Sequence, residues 1–293
     1  MINFDLHPIV CRPALWKDTE QVLELSSHIW DGGDYIPKVW EDWLKDPDGL
    51  LGVAEIAGRV AGTFKLTKFA DQEWYLEGLR VHPDFQERGV AAHIHDYVIE
   101  TWHRMGRGVL RLTTASFNVK VHHMCERTGF RRIAEFISYR APVLPESTKD
   151  FTLVGMDEVP SVYKFVNNSP VHSLSSGLIN LGWVYAIPQI KHIEDTVSSS
   201  HAWWWRGRAG FLSIWEDDEE DTREPGIELL ACQLSDLPEM LADYRRLMGM
   251  VGYASAGWVA PNQPQVIGCL EGSGFVRNWD VSLYIFELRS GSG

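Results

Sequence analysis

This sequence lacks paired cysteines, long apolar runs and an excess of basic residues. Its four cysteines are far apart and form no Cys-x-x-Cys pair, which argues against a zinc knuckle or a disulfide scaffold. No apolar run approaches the ~20 residues that a membrane helix requires. Residues 1–13 also lack the charged and apolar regions of a signal peptide. We therefore expect a cytoplasmic protein with no membrane partner.

The charge balance is acidic, with 40 Asp and Glu against 27 Lys and Arg, for a formal net charge of −13. Sequence-independent binding of nucleic acid requires a basic surface that displaces counterions, so we expect no nucleic-acid partner. The 293 residues are 45% hydrophobic and include 13 tryptophans, which is enough apolar material for packed cores. This length predicts two domains of roughly 140 to 150 residues each.

Hydrophobic periodicity predicts the order of elements in the N-terminal half. Residues 51–56 and 59–69 read as a hairpin, and a third strand follows at 73–81, which makes three successive antiparallel strands. The apolar residues Val90, Ile94, Tyr97, Val98 and Trp102 then lie on one face of a helix that ends at Gly106. A strand at 109–115 and a helix opened by Asn118 precede a last strand at 130–139.

The segment LRVHPDFQERGVAAH, residues 79–93, joins a strand to this helix through a glycine turn. The first amides of a helix have no intrahelical partner and carry partial positive charge, so such a turn can bind an anion through the backbone alone. A glycine between strand and helix is more often a simple turn. Neither the P-loop spacing nor the dinucleotide Gly-x-Gly-x-x-Gly spacing occurs here.

The C-terminal half repeats this order, with a hairpin at 202–215, a strand at 227–232 and a helix at 236–248. Its GCLEGSGF, ending at Phe275, is similar to MCERTGF, which ends at Phe130. The repeat lacks a glycine turn after its third strand, so we expect no second anion site. We interpret the acidic run 216–221 as a solvated loop and the tryptophans 203–205 as a buried strand rather than an aromatic cage.

Taken together, strand, QERGVA, long helix, strand and Asn118 followed by HMCERTGF resemble the GNAT superfamily of acetyl-CoA-dependent N-acetyltransferases. SSHIWDGGDYIPKVWEDWLKDPDG and YLEGLRVHPDFQERGVA resemble its histidine N-acetyltransferase-like branch. The resemblance implies an α+β tandem GNAT fold with a mixed, mostly antiparallel sheet flanked by helices in each half. It implies a catalytic, acetyl-CoA-binding domain at 1–142 and a degenerate GNAT-like domain at 151–293.

The resemblance also implies residues that bind the acetyl-CoA co-substrate. Leu79 and Val81 would hold the pantetheine arm, and Asn118 would contact this arm or orient the thioester. A second group would cradle the diphosphate: Gln86, Arg88, Gly89, Val90 and Ala91.

Two residues are candidates for proton transfer. Glu77 precedes Leu79 and Val81 by two and four residues, so we expect it on their side of the strand, where it could deprotonate an ammonium. Alternatively, Glu77 is an edge carboxylate paired with Arg80 or Arg111. The family's usual acid is a tyrosine seven residues after the asparagine. Here that position is Cys125, a candidate acid or a buried, inert thiol, with solvent or a hydroxyl as competing donors.

Candidate acceptor-binding residues lie in the loop 30–37 and on the following strand. Asp34 and Tyr35, with Trp30, could cover an acceptor, or the loop could be a turn with an anchoring aromatic side chain. Arg80 could bind an acceptor carboxylate, or face outward. We predict no metal, because His93 and His95 point to different helix faces and the adjacent His122 and His123 cannot easily share one ion.

These patterns predict transfer of acetyl from acetyl-CoA to the primary amine of a small molecule, with the α-amino group of a free amino acid such as histidine favoured. A non-catalytic acyl-CoA-binding sensor is one alternative. An acetyltransferase of protein lysines or N-termini is another. The patterns leave the oligomeric state open.

Overall fold

A computed structural model describes residues 7–217 and 224–291 of the chain. The described residues divide into two compact units that exchange segments of chain. The first contains residues 7–112, 119–131 and 286–291, and the second contains residues 113–118 and 132–285. Most of the acidic run, at 218–221, lies outside the described residues. The predicted functional division into 1–142 and 151–293 stays a prediction.

The first unit contains four helices and the strands of the N-terminal half. The strands are β1 (Val10–Pro13), β2 (Leu50–Ile56), β3 (Arg59–Ala70), β4 (Glu73–Val81) and β5 (Val109–Ala115), of which residues 109–112 lie in this unit. The helices are α1 (Thr19–Ser27), α2 (Ile36–Lys45), α3 (Val90–Met105) and α4 (Val119–Arg127). Strands β1 to β4 pair antiparallel in sequence order, and β5 joins β4 in parallel. This confirms the three successive antiparallel strands.

The apolar stripe predicted for α3 is the face on which the helix packs. Val90, Ile94, Val98 and Trp102 are all buried, and Tyr97 is half-buried with its ring centroid 5.7 Å from that of Phe64 on β3. A residue at every fourth position stays on one side of a helix, so the stripe lies against the sheet. These core contacts fix the position of α3, which begins at Val90 and is separated from the end of β4 by eight residues.

The second unit carries the repeated order of elements. Its strands are β6 (Arg131–Pro142), β7 (Phe151–Leu153), β8 (Ile179–Asn180), β9 (Tyr185–Ala186), β10 (Ala202–Trp205), β11 (Gly210–Asp217), β12 (Glu224–Cys232), β13 (Ser255–Pro261) and β14 (Val276–Arg289). Its helices are α5 (Val159–Asn167), α6 (Pro170–Leu174), α7 (Ile190–Ser198), α8 (Leu237–Met250) and α9 (Pro264–Gly272). The strand order in this unit is β14-β6-β13-β12-β11-β10-β7. Residues 286–289 of β14 belong to the first unit, where they lie beside β5.

Several predictions for the second unit are confirmed. The tryptophans Trp203, Trp204 and Trp205 form the buried strand β10. Elements β10 to β14 follow the predicted order, whereas β7 to β9 and α5 to α7 had no predicted counterpart. The mixed, mostly antiparallel α+β architecture is confirmed. None of the helices in the described ranges is long and apolar enough to cross a membrane.

Candidate active site

Strands β4 and β5 pair only near their beginnings. Their parallel register joins residues 73–75 to residues 109–111, and both strands continue beyond these residues. In the described residues, the edge of β4 that faces β5 has no strand partner after Tyr75. Backbone N–H and C=O groups require partners, and an extended ligand can supply them by pairing as an added strand. Leu79 and Val81, the predicted pantetheine contacts, lie in this open segment.

A bulge at Gly78 marks the same part of β4. Glu77 lies opposite Lys65 and Arg80 lies opposite Thr63, so three steps along β4 match two steps along β3. Gly78 has φ +61, and a Cβ atom there would lie 2.8 Å from the ring of Trp43. Both the positive φ and this close approach require glycine.

The bulge changes which side chains share a face of the sheet. Residues directly opposite one another on antiparallel strands point to the same side, and Thr63 and Lys65 are two residues apart on β3. Glu77 therefore shares a face with Arg80. The prediction that Glu77 lies on the side of Leu79 and Val81 is wrong, because the alternation from which it was inferred breaks at the extra residue.

The turn between β4 and α3 presents free backbone amides. Gly89 occupies the N-cap in the left-handed region, with φ +78 and ψ 8, and no atom lies within 4 Å of the position that its Cβ would occupy. The first intrahelical hydrogen bond in α3 runs from the His93 N–H to the Gly89 carbonyl, at 2.9 Å. The amides of Val90 and Ala91 precede this bond at the positive end of a 16-residue helix. The geometry is that of an anion site.

Basic side chains lie around this turn. Gln86, Glu87 and Arg88 are exposed, and the Arg88 Cζ is 5.9 Å from the ring centroid of the buried Phe85. Lys120 on α4 places its Nζ 3.6 Å from a carboxylate oxygen of Glu87. Lys120 was not singled out from the sequence, since only the folded chain brings α4 to the turn.

Neither arginine considered as a partner of Glu77 pairs with it in the described residues. Arg80 pairs with Asp34. The Arg111 guanidinium is buried between Glu73 and Glu287, with its Nε 2.8 Å from a Glu287 oxygen. Among the described residues, these contacts exclude the two ion pairs that were considered for Glu77.

Glu77 has the surroundings of a proton acceptor. The Thr67 hydroxyl donates a hydrogen bond to its carboxylate. Burial raises the pKa of Glu77 above its ordinary value, while the Thr67 hydrogen bond and the Lys65 charge act in the opposite direction. A carboxylate with a raised pKa is a better general base near neutral pH. Thr67 was not identified from the sequence, because it lies ten residues before Glu77 on the neighbouring strand.

The predicted acceptor loop folds onto Arg80. Its Nη2 lies 3.0 Å from Oδ1 of Asp34, whose side chain has no exposed surface. The Arg80 Cζ lies 4.4 Å from the Trp30 ring centroid and 5.3 Å from that of Tyr35. The structure thus brings the predicted acceptor-binding residues together. Because a buried carboxylate already neutralises Arg80, its geometry favours holding the loop over binding a ligand carboxylate.

Tyr35, in this loop, interacts with Glu77 and with the backbone of Gly78 at the bulge. Burial and, secondly, the charge of Glu77 raise the pKa of Tyr35 to about 12, although a hydrogen bond from the Gly78 backbone opposes this shift. The phenol therefore stays protonated at neutral pH. Trp30, in contrast, is 66% exposed, so its ring lies at the surface of this cluster.

Cys125 lies on α4, and its side chain is buried. It has no exposed surface, and burial raises the pKa of its thiol to about 12. Its carbonyl accepts from the Phe130 N–H at 3.0 Å, as the Leu270 carbonyl accepts from the Phe275 N–H in the second unit. Cys125 thus occupies the position of a buried leucine in the repeat, which favours a packing role over proton donation. Asn118, half-buried, immediately precedes this helix.

Comparison with known families finds a match in the N-terminal segment. Residues 15–130 match the sequence model of the acetyltransferase (GNAT) family. A mycothiol acetyltransferase of Propionibacterium freudenreichii is 35% identical over 114 residues, which are 38% of this chain and 36% of that protein. A histidine N-acetyltransferase of Xenopus tropicalis is 32% identical over 139 residues, 45% of this chain and 41% of that protein. The match thus spans about two fifths of the length of these relatives.

Solved structures extend the similarity in fold to nearly the whole chain. A tandem GNAT protein from the clavulanic acid biosynthesis pathway has a TM-score of 0.60 at 13% identity, over 98% of this chain and 100% of that chain. A GCN5-related N-acetyltransferase from Sphaerobacter thermophilus has a TM-score of 0.65 at 10% identity, over 97% and 96%. At these identities the similarity concerns the fold alone, and it confirms the tandem arrangement.

Proposed function

We propose that the protein transfers acetyl from acetyl-CoA to the primary amine of a small molecule, because residues 15–130 match the sequence model of the acetyltransferase (GNAT) family. The observation that carries this proposal is the open edge of β4, followed by the turn at Gly89 and the first amides of α3. One continuous segment can therefore hold both an extended arm and a diphosphate. Leu79 and Val81 line the arm, and Gln86, Arg88, Gly89, Val90 and Ala91 surround the diphosphate.

The proposed reaction is a direct transfer. Glu77 removes a proton from the acceptor ammonium, directly or through a water molecule. The free amine attacks the thioester carbonyl, and the new C–N bond forms as the C–S bond breaks. The nitrogen then releases its second proton to solvent, and the thiolate takes a proton from solvent. Asn118 orients the thioester. We assign no proton transfer to Cys125, since its thiol is fully buried and its pKa is raised to about 12.

We propose a free amino acid, with histidine as the first candidate, as the acceptor. Two relatives, which are named mycothiol acetyltransferase and histidine N-acetyltransferase, support a small acceptor molecule. Trp30 and Tyr35 supply aromatic surface around Arg80, which shares a face of the sheet with Glu77, and the Asp34–Arg80 pair holds these rings in place. The cytoplasmic location stays a prediction.

Release of the coenzyme A thiol tests the proposal. The protein is incubated with acetyl-CoA and each of the proteinogenic amino acids, with their N-acetylated forms as matched controls. We expect thiol release with a narrow set of free amino acids and none with the blocked forms. Saturable acetyl-CoA binding without release would favour the sensor, and release only with peptides would favour protein acetylation.

A further inference from the structure

A cluster of three ionisable side chains lies outside the proposed active site. Glu24 and His28 are one turn apart on α1, and His82 directly follows β4. The Glu24 Oε1 is 2.9 Å from the His28 Nε2, and its Oε2 is 3.1 Å from the His82 Nε2. One ligand atom from each residue lies within 4.8 Å of the other two. The sequence separates these residues by up to 58 positions, so histidine spacing did not reveal them.

The spacing of these atoms suits a small divalent ion. Zinc binds imidazole nitrogen and carboxylate oxygen at about 2.0–2.2 Å, which places neighbouring ligand atoms of a tetrahedron about 3.3 Å apart. The carboxylate lies 2.9 and 3.1 Å from the two nitrogens. Small rotations of two exposed side chains are sufficient to enclose an ion.

The cluster combines a fixed ligand with two accessible ones. The His82 side chain is 5% exposed, whereas those of Glu24 and His28 are 52% and 48% exposed. An ion can therefore enter from solvent, and water can fill the remaining position. Two histidines, one carboxylate and one open position form a known class of zinc site.

The hydrogen bonds of His82 determine which proton must move when an ion binds. Its Nδ1 accepts a hydrogen bond from the Asp84 N–H at 3.1 Å, so its Nε2 carries the proton that faces Glu24. An ion at Nε2 would displace this proton, and the Nδ1 of the neutral ring would then become the protonated atom. The hydrogen bond from the Asp84 N–H to Nδ1 would then be lost, and the Asp84 Oδ2, which lies 3.8 Å from Nδ1, would have to move closer to accept a hydrogen bond from the Nδ1–H. A carboxylate behind a metal-bound histidine is a frequent arrangement.

We propose that Glu24, His28 and His82 bind a divalent transition-metal ion of the Zn²⁺ class. The ion would tie α1 to the first residue after β4, seven positions before Gly89. The strongly acidic chain, with its formal net charge of −13, also favours accumulation of cations near its surface. The predicted absence of a metal concerned His93, His95, His122 and His123, and it did not consider this cluster.

Metal titration of the tag-free, chelator-treated full chain tests this site. Zn²⁺ binding is measured by calorimetry and Co²⁺ binding by its visible absorption, in the wild type, Glu24→Gln and His28→Ala. His123→Ala is the matched control, because His123 is exposed and lies 3.5 Å from Glu126 but belongs to no such three-residue group among the described residues.

We expect one Zn²⁺ per chain, an affinity at least about 10-fold lower in both cluster variants, and no change in the control. Thermal melting without metal verifies that both variants fold. No saturable binding by the wild type would overturn the proposal. Equal affinity in the wild type and the two cluster variants would overturn it as well.

Discussion

The segment between β4 and α3 and the segment between β12 and α8 occupy the same place in the two repeats, yet they differ in chemistry. The first ends at Gly89 with a left-handed backbone and an unfilled Cβ position. The second ends at Asp236, with φ −93, followed by Pro238 in the first turn of the helix. Proline has no amide hydrogen, and the Asp236 carboxylate repels an anion. The proposed anion site therefore depends on the turn and not on the fold.

Both repeats also place a half-buried glutamate on the strand that leads to this turn. Glu77 accepts from Thr67, and Glu228 accepts from Ser213 and Thr196. Burial raises the pKa of Glu228 to about 7, against opposing hydrogen bonds from Thr196 and Ser213. A half-buried glutamate next to hydroxyls is thus common to both repeats, whereas, among the described residues, only the first repeat combines it with an open turn.

Substitution of Gly89 is expected to have the largest effect on the difference between the turn before α3 and the turn before α8. Gly89→Val places a β-branched side chain where the diphosphate would lie and strains the left-handed backbone. Hydrogen bonds to charged groups contribute about 1.5–3 kcal/mol each, so loss of two lowers acetyl-CoA affinity by roughly 1000-fold. Calorimetric titration measures the affinity. Gly252→Val is the control, because Gly252 also has positive φ and an open Cβ position. Equal loss in both variants would contradict the assignment.

Substitution of each strand glutamate by glutamine tests how much each repeat contributes to activity. We expect Glu77→Gln to lower kcat/KM by about 100-fold, since general base catalysis contributes about 10²–10⁴-fold. It should also flatten the acidic limb of the pH profile. Glu228→Gln should leave kcat/KM within about twofold of wild type. A Glu77→Gln enzyme with an unchanged rate and pH profile would exclude Glu77 as the base.

The same Glu228→Gln substitution is expected to change the free energy of unfolding. The folded-state pKa of about 7 exceeds the ordinary glutamate value of 4.5, so the protonated form stabilises the fold and this contribution is lost as pH rises between these values. At pH 8 the variant should be more stable than wild type by about 2–3 kcal/mol, and at pH 4 nearly equal. Urea unfolding at both pH values measures this. An equal difference at both pH values would refute it.

Replacement of Cys125 is expected to have the smallest effect on activity. Cys125→Ala removes a buried thiol from the position that Leu270 occupies in the repeat, so stability should fall by about 1 kcal/mol. We expect kcat/KM within about threefold of wild type. Leu270→Ala is the packing control. A large loss of kcat with an altered basic limb of the pH profile would instead identify Cys125 as the proton donor.

Local sequence patterns were sufficient to predict the bounds and the buried face of single elements. The predicted strands 73–81 and 109–115 match β4 and β5, and the stripe on α3 is buried as expected. The bulge at Gly78 escaped prediction, because one glycine in a strand does not show whether the strand gains a residue against its neighbour. The face assigned to Glu77 was wrong for that reason. The partners of Arg80 and Arg111 likewise depend on pairings that are distant in sequence.

The sequence by itself determined the order of elements in the N-terminal half and from β10 onward, the glycine turn before α3 and the missing turn in the second repeat. These follow from periodicity and from the backbone freedom of glycine, which are local properties. Only the tertiary structure decided that Asp34 neutralises Arg80, that Thr67 donates to Glu77 and that Glu24, His28 and His82 meet. Such contacts join residues that come together only when the chain folds, because register and packing bring them within hydrogen-bond distance.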